Sequence, residues 1–224
     1  MSNATESKRK SFMNKCVILL GGDIVATPRL MQQCKDALVL AADSGVRHAT
    51  ALGLTVDCWL GDFDSTTPAL ARKFKDLPRK TFPRDKDKTD GELAIEEAIS
   101  RDCDSFIMVG AFGGARTDHA LLHGFQAVEL RKRGFQVILT SGAEEAAPML
   151  PGKQTFDLEP GALFSLVGFG ALEGVTIVGA KWPLQNRLVP AGSSLTMSNV
   201  ATGPVTVSLT AGEGLFISSS SRDQ

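Results

Sequence analysis

The sequence predicts an α/β fold in two parts, a mostly parallel-sheet α/β domain over residues 16–146 followed by an all-β sandwich domain over residues 151–224. Three observations predict it. Apolar runs of strand length alternate with helical patterns up to about residue 146, no long helical pattern occurs after Pro151, and Gly, Pro and Asn punctuate everything beyond it.

Taken in order, residues 1–15 are expected to be a flexible segment, since Met1 to Phe12 are polar and basic and lack the hydrophobic centre of a signal peptide. Cys16 to Leu20, Ala37 to Ala42, Val56 to Leu60, Ser105 to Val109 and Phe135 to Thr140 read as buried strands. A helix is expected from Thr89 or Asp90 to about Arg101, with Ala94, Ile95, Ala98 and Ile99 as its apolar stripe. Another runs from Thr117 to Gly134, after the basic Arg131-Lys132-Arg133, with Leu121, Phe125 and Val128 at i, i+4 and i+7. The domain boundary is expected near Ala146 to Gly152. Beyond it stand only four basic and five acidic side chains but ten glycines, so Leu163 to Val167, Gly174 to Val178, Ser194 to Met197, Val205 to Leu209 and Gly214 to Ile217 read as sandwich strands.

Composition excludes several classes. With 24 basic and 25 acidic residues, nothing attracts a polyanion globally, so no nucleic acid or anionic membrane partner is expected. No apolar stretch reaches the roughly 18 to 20 residues that span a bilayer. The four cysteines, Cys16, Cys34, Cys58 and Cys103, form no CxxC pair and sit in or beside apolar runs, which suits reduced thiols in the cytoplasm rather than zinc. Signatures of ordinary nucleotide-binding folds, GxxxxGK[ST] and GxGxxG after a first strand, are missing, as is HExxH.

Four segments could carry chemistry. Gly61-Asp62-Phe63-Asp64-Ser65 follows a predicted strand, at the sheet edge where open α/β folds bind ligands. Two carboxylates about 4 Å apart repel by roughly 4 kcal/mol at an effective dielectric near 20, which a magnesium ion shared with a polyphosphate would offset. An Asp-rich turn is the other reading. Arg84-Asp85-Lys86-Asp87-Lys88-Thr89-Asp90 opens a helix, so it is either a phosphate cradle or a solvated loop with Thr89 or Asp90 as N-cap. Gly110 to Gly114 followed by Ala115-Arg116-Thr117-Asp118-His119 allows close backbone approach to a ligand, with Arg116 to grip phosphate and Asp118 to orient it, to bind a substrate group or to act on a proton. Thr117 or Asp118 as a mere cap remains open. Asp43 ends another predicted strand. Together these acids and the arginine converge on one sheet edge, which favours a shared site over coincidence. His119 and His123, spaced i and i+4, read as helix-face histidines without a metal. Trp182 is either sandwich core or an aromatic plate for a flat heterocycle.

These residues resemble the thiamine pyrophosphokinase family. The resemblance spans about Cys16 to Ile217 and rests on Ala42-Asp43-Ser44-Gly45, Gly61-Asp62-Phe63-Asp64-Ser65, Lys86-Asp87-Lys88-Thr89-Asp90 and Arg116-Thr117-Asp118-His119 in that order. In the second part, Gly179-Ala180-Lys181-Trp182-Pro183-Leu184 and Leu195-Thr196-Met197-Ser198-Asn199 look like the family's sandwich signatures. The resemblance implies Mg2+ held by Asp62, Asp64 and Asp90, and ATP held near Asp43, Lys86, Asp87, Lys88, Thr89 and Arg116, with Asp118 close to the reacting phosphates. It further implies a homodimer in which thiamine lies between subunits against Trp182, Ser198 and Asn199. Two departures stand out: the family has glycine at the position of Ser44, and Gly-Gly-Arg where this chain has Gly114-Ala115-Arg116.

The expected reaction is attack of the thiamine hydroxyl on the β-phosphorus of ATP, giving thiamine diphosphate and AMP. Transfer to another small alcohol such as a pterin, and a sensor that binds without turnover, are the rival readings. The Trp182 and Ser198-Asn199 segments favour thiamine, and the retained aspartates favour turnover.

Overall fold

The computed structural model describes residues 14–63, 66–83 and 87–219. Strands β1 (Lys15–Leu19), β2 (Leu38–Ala42), β3 (Cys58–Gly61), β4 (Arg79–Thr81), β5 (Ser105–Val109) and β6 (Gln136–Thr140) pair in parallel, in the spatial order β4-β3-β2-β1-β5-β6. Lys15 already belongs to β1, one residue inside the segment expected to be flexible. The sheet's two apolar faces follow from strand alternation. Cys16 and Ile18 face one side with Leu40, Phe106 and Met108, whereas Val17 and Leu19 face the other with Val39, Ala41 and Val109.

Helices α1 (Pro28–Gln33), α2 (Ala49–Leu52) and α3 (Pro68–Lys73) cover the second face through Leu30, Ala49, Leu52 and Leu70. Both α1 and α3 start at a Thr-Pro pair, in which the threonine hydroxyl accepts from the N–H three residues on and proline occupies the first turn at no hydrogen-bond cost. Each is only six residues long, too short to register as a period in the sequence. Helices α4 (Asp90–Ser100) and α5 (Thr117–Lys132) cover the first face through Ala94, Ile95, Ala98, Ala127, Val128 and Leu130.

The stripe expected on α5 is corrected by the structure. Leu121 and Phe125 are 62% and 52% exposed. The face turned inward carries His123, Gly124, Ala127, Val128 and Leu130. Small residues set this choice, because a Cβ on Gly124 would lie only 3.2 Å from Leu215 Cδ1 and 3.4 Å from Phe169 Cζ, so the helix approaches as closely as glycine allows. Phe125 then packs outside, 4.3 Å between ring centroids from Phe169.

The sheet does not stop at residue 146. Strand β7 (Glu144–Met149) lies antiparallel to β6 on one side and to β13 (Gly214–Ser219) on the other, and β13 continues to β9 (Leu163–Gly168). Strands β8 (Gly152–Phe156), β10 (Leu172–Ala180) and β11 (Leu184–Val189) join through β12 (Asn199–Leu209), whose first residues pair with β9 and whose later residues pair with β10 and β8. Gly203 and Pro204 sit at that change of partners, proline being unable to donate to a ladder. Phe164, Leu166 and Phe216 meet Val175, Ile177, Val205 and Val207 in one core between the two layers.

The strand expected over Ser194 to Met197 is not formed. Thr196 is buried there, accepting from the Leu166 N–H through its carbonyl and donating its hydroxyl to the Leu166 carbonyl at 2.6 Å, while Met197 N–H donates back to Ser194. The segment is a turn pinned to β9 at one residue rather than a ladder. Strands β4 and β8 leave no apolar signal in the sequence, because Arg79-Lys80-Thr81 and Gly152-Lys153-Gln154-Thr155-Phe156 are largely polar and exposed, and in β11 the apolar Leu184, Leu188 and Val189 are split by Gln185-Asn186-Arg187 and form neither a run nor an alternation. Among the described residues no helix is long and apolar enough to cross a membrane.

Two outcomes test this packing. Phe216 stacks on Phe156 at 3.6 Å and on Phe164 at 5.2 Å, so Phe216→Ala costs about 3–5 kcal/mol in urea unfolding, against about 1 kcal/mol for Phe125→Ala. All four cysteines are free and buried, and desolvation raises their thiol pKa values, Cys34 up to about 11. Native protein at neutral pH therefore leaves all four unreactive to an aromatic disulfide reagent until denaturant is added; a thiol titrating in the native state contradicts the packing.

Candidate active site

The parallel strands run outward from β1 in two directions, to β2 on one side and β5 on the other, and that reversal leaves a crevice at their carboxyl ends. A cleft of about 290 Å3 lies there, lined by Leu20 to Gly22 after β1, Asp43 and Ser44 after β2, Thr89 to Gly91 at the start of α4, and Ala111 and Gly113 to Arg116 after β5, with His119 and His123 from α5. Of the residues singled out in the sequence, it brings together Asp43, Thr89, Asp90 and Arg116. Gly21, Gly22 and His123 also belong to it, although sequence reasoning alone does not place them there. A diglycine directly after the first strand is the signal that could have found the first two.

Glycine is obligatory at the floor. The Gly22 N–H donates to the Gly110 carbonyl at 3.0 Å, and a Cβ on Gly22 would collide with the carbonyl oxygens of Gly110 and Phe112. At Gly110 itself, where φ is +74°, a Cβ would stand 2.7 Å from the Leu20 carbonyl oxygen. The turns after β1 and β5 thus interleave backbone against backbone.

Asp43 holds a left-handed conformation, φ +44°, at the end of β2. A non-glycine residue there costs on the order of 1–3 kcal/mol, and the strand's neighbours hold it in place. The buried Trp59 donates its indole N–H to the Asp43 carbonyl at 2.8 Å. A Cβ on Gly61 would lie 3.5 Å from Asp43 Cα, so the end of β3 rests on Asp43 and half-buried Asp62 follows one residue later. Phe63, also at positive φ, stands edge-on to Trp59 with ring centroids 4.9 Å apart. Asp62 does not line the cleft, and Asp64 and Lys86 lie outside the described residues.

Thr89 is the N-cap of α4 in a full capping box: its hydroxyl accepts from the Glu92 N–H at 3.2 Å, and the Glu92 carboxylate accepts from the Thr89 N–H at 2.9 Å. This places Asp90 at the first helical residue, where the helix dipole favours a carboxylate. Lys88 turns away to Glu96, and neither it nor Asp87 lines the cleft. Arg116 does, and Asp118 grips its guanidinium bidentately at 2.9 and 2.7 Å. That hydrogen bond holds the Asp118 carboxyl well below the usual carboxylate range. Asp118 itself is off the cleft and orients Arg116.

His123, only 5% exposed, directs Nδ1 to the Ala111 carbonyl at 3.0 Å. A carbonyl only accepts, so Nδ1 carries the hydrogen, and burial lowers the ring's pKa and keeps it neutral. His119 stands edge-on to it at 6.1 Å.

The donor set fits a hard divalent cation. Asp43 and Asp90 both line the cleft, and magnesium takes one or two carboxylates together with phosphate oxygens. Among the described residues no three His, Cys, Asp or Glu side chains close on a common point; Asp64 is not among them.

Trp182, Ser198 and Asn199 lie in the β layers and do not line this cleft. Trp182 is 53% exposed, with Lys181 Nζ 4.7 Å from its ring centre. Asn199, 3% exposed, spends its carboxamide on the backbone: it accepts from the Trp182 and Val200 N–H groups and donates to the Trp182 carbonyl at 2.8 Å. It fixes the turn that carries the tryptophan. Ser198 has φ +53°, and its N–H donates to Ser165 Oγ at 2.9 Å.

Known proteins share this fold. The family model described as Thiamin pyrophosphokinase, catalytic domain, matches residues 29–139, and that described as Thiamin pyrophosphokinase, vitamin B1 binding domain, matches residues 153–213. A thiamine pyrophosphokinase of Bacillus subtilis (strain 168) is 29% identical over 187 residues, covering 81% of this chain and 87% of the relative. Solved thiamine pyrophosphokinase structures superpose along nearly the whole chain. That from Bacillus subtilis has a TM-score of 0.78 at 24% identity, covering 93% of this chain and 100% of the other. That from Geobacillus thermodenitrificans has a TM-score of 0.72 at 26% identity, covering 93% and 98%. With both of its family models matched in succession, one on each half, the chain belongs to the thiamin pyrophosphokinase family.

Proposed function

We propose that the protein transfers the pyrophosphoryl group of ATP to the primary hydroxyl of thiamine, giving thiamine diphosphate and AMP. The observation that carries this reading is the succession of the two family matches, together with a cleft at the sheet's reversal point on which Asp43, Asp90 and Arg116 converge.

Residues 16–146 are read as the catalytic domain and 151–224 as the thiamine-binding domain. ATP lies in the cleft with its phosphates against the glycine turns, where the absence of side chains lets backbone N–H groups approach. Arg116 grips phosphate oxygens, its fork passing from Asp118 to the nucleotide. Thr89 completes the nucleotide side by holding the start of α4; Lys86, Asp87 and Lys88 precede it in the sequence and are read as meeting the nucleotide from outside the cleft, Lys88 only on leaving Glu96. Asp62, Asp64 and Asp90 would hold magnesium, Asp90 from the cleft and Asp62 from just beyond the end of β3, with Asp43 lining the cleft as well. A divalent cation bound there neutralises charge on the polyphosphate. The rest of the catalytic advantage is positioning, since phosphoryl transfer demands alignment of hydroxyl and phosphorus more than covalent help.

Thiamine is read as lying on the exposed Trp182 face with Ser198 alongside, while Asn199 acts by fixing the tryptophan turn. That face does not line the cleft of its own chain, which supports a homodimer whose active sites combine the cleft of one subunit with the tryptophan face of its partner. Four buried free thiols support a reducing, cytoplasmic setting.

Incubation with ATP, magnesium and thiamine yields AMP and thiamine diphosphate in equal amounts, and a pterin acceptor yields none; AMP formation with the pterin alone would refute the acceptor. Asp62→Ala, Asp64→Ala and Asp90→Ala each lower kcat/KM by about 100-fold or more, equivalent to about 3 kcal/mol or more, with unchanged circular dichroism; wild-type rates in any of them defeat its metal role. Gly22→Ala loses both nucleotide binding and about 1–3 kcal/mol of stability, because neither facing carbonyl can move away; a stable, active Gly22→Ala enzyme refutes the interleaved floor.

A further inference from the structure

Two residues just beyond the cleft tie down its floor. Arg47 Nη2 donates to the Gly21 carbonyl at 2.7 Å and to the Gly22 carbonyl at 3.3 Å, and Arg47 Nη1 donates to Ser44 Oγ at 3.2 Å. His48 Nε2 bonds the Gly22 carbonyl at 2.8 Å. The Ser44 hydroxyl is packed against Gly21, 3.1 Å from where a Cβ would stand. Gly21, Gly22 and Ser44 line the cleft; Arg47 and His48 do not.

The electrostatic consequence is direct. Two peptide carbonyls at the floor would present partial negative charge to a polyphosphate, and a diglycine turn can rotate its peptide planes at little cost. Bonding both oxygens to a guanidinium and an imidazole takes that negative charge out of the cleft and holds the planes in one orientation. The bonds to arginine are charge-assisted, about twice as strong as neutral ones. Asp23 Oδ1, 3.5 Å from Arg47 Nη2, offsets only part of the guanidinium charge, being itself well exposed.

We propose that Arg47 is a positioning residue for the nucleotide, acting through the Gly21 and Gly22 carbonyls, and that Ser44 serves as its lateral brace. This rests on the reading of the cleft as the ATP site. The hydroxyl supplies the acceptor that keeps the Arg47 fork aimed at the floor.

The test compares Arg47→Met, Arg47→Lys, Ser44→Gly and the double variant Ser44→Gly/Arg47→Met. ATP affinity is measured calorimetrically without thiamine, and kcat and both KM values in the full reaction. Arg47→Met weakens ATP binding and raises KM for ATP about tenfold, the loss expected when charge-assisted hydrogen bonds are removed. Its kcat and its KM for thiamine stay within about twofold of wild type, and Arg47→Lys recovers part of the affinity. Ser44→Gly weakens binding about two- to threefold alone and not at all in the Arg47→Met background, as a residue acting through the arginine must. Unchanged ATP affinity in Arg47→Met, or a Ser44→Gly effect that is the same in both backgrounds, overturns the proposal. Should wild type bind ATP with this Arg47 dependence yet fail to modify thiamine, the assigned reaction falls and the positioning role stands; turnover of thiamine with no Arg47 dependence gives the converse.

Discussion

The site depends on the interleaving of two backbone turns, Leu20 to Gly22 after β1 and Gly110 to Gly114 after β5. Adjacent parallel strands lie about 4.8 Å apart, and at the point where the sheet reverses direction their carboxyl-terminal turns have to pass each other within hydrogen-bonding reach. Glycine alone permits this, because a single methyl group on Gly22 would meet two carbonyl oxygens at once. Every other feature of the cleft is arranged around that contact: Asp43 and Ser44 flank it from β2, α4 and α5 open beside it, and the carbonyls it exposes are bonded from behind by Arg47 and His48.

Around that floor the protein concentrates carboxylates and holds them by unusual means. Asp43 adopts a backbone conformation that a non-glycine residue seldom takes, and the restraint comes from a buried tryptophan on the neighbouring strand β3. Trp59 in turn is enclosed by Phe63 and Phe74 and capped by the Arg79 guanidinium, 4.6 Å from its ring. A hydrophobic cluster beneath the sheet edge therefore sets the direction of a polar group above it. The capping box on α4 does the equivalent for Asp90, converting local helix chemistry into a fixed carboxylate at a helix N-terminus.

The two halves of the chain share one continuous run of strands yet carry separate cores. Strand β7 pairs with β6 and β13, and α5 leans on Leu215 and Phe169 through Gly124, so the β layers are held firmly against the α/β half. The ion pairs Arg29–Glu145 and Lys132–Glu213 cross the same junction, the first bidentate on a largely buried carboxylate and the second more exposed, so that it contributes little beyond orientation.

Sequence by itself determined the alternating strands of the first half, the helices after Asp90 and Thr117, the change of character near residue 150 and, of the acids it singled out, the meeting of Asp43 and Asp90 with Arg116 at one cleft. Those follow from local periodicity and punctuation, which each residue carries with it. Only the tertiary structure decided which α5 face turns inward, because close approach of Gly124 outweighed the large apolar side chains of Leu121 and Phe125. It alone decided that Ser194 to Met197 is a pinned turn, since a single buried threonine bonded to β9 overrides strand propensity. It also decided that Asn199 braces a turn and that Arg47 belongs to the site, because both depend on which carbonyls a folded backbone brings within about 3 Å of a side chain, and no spacing along the chain encodes that distance.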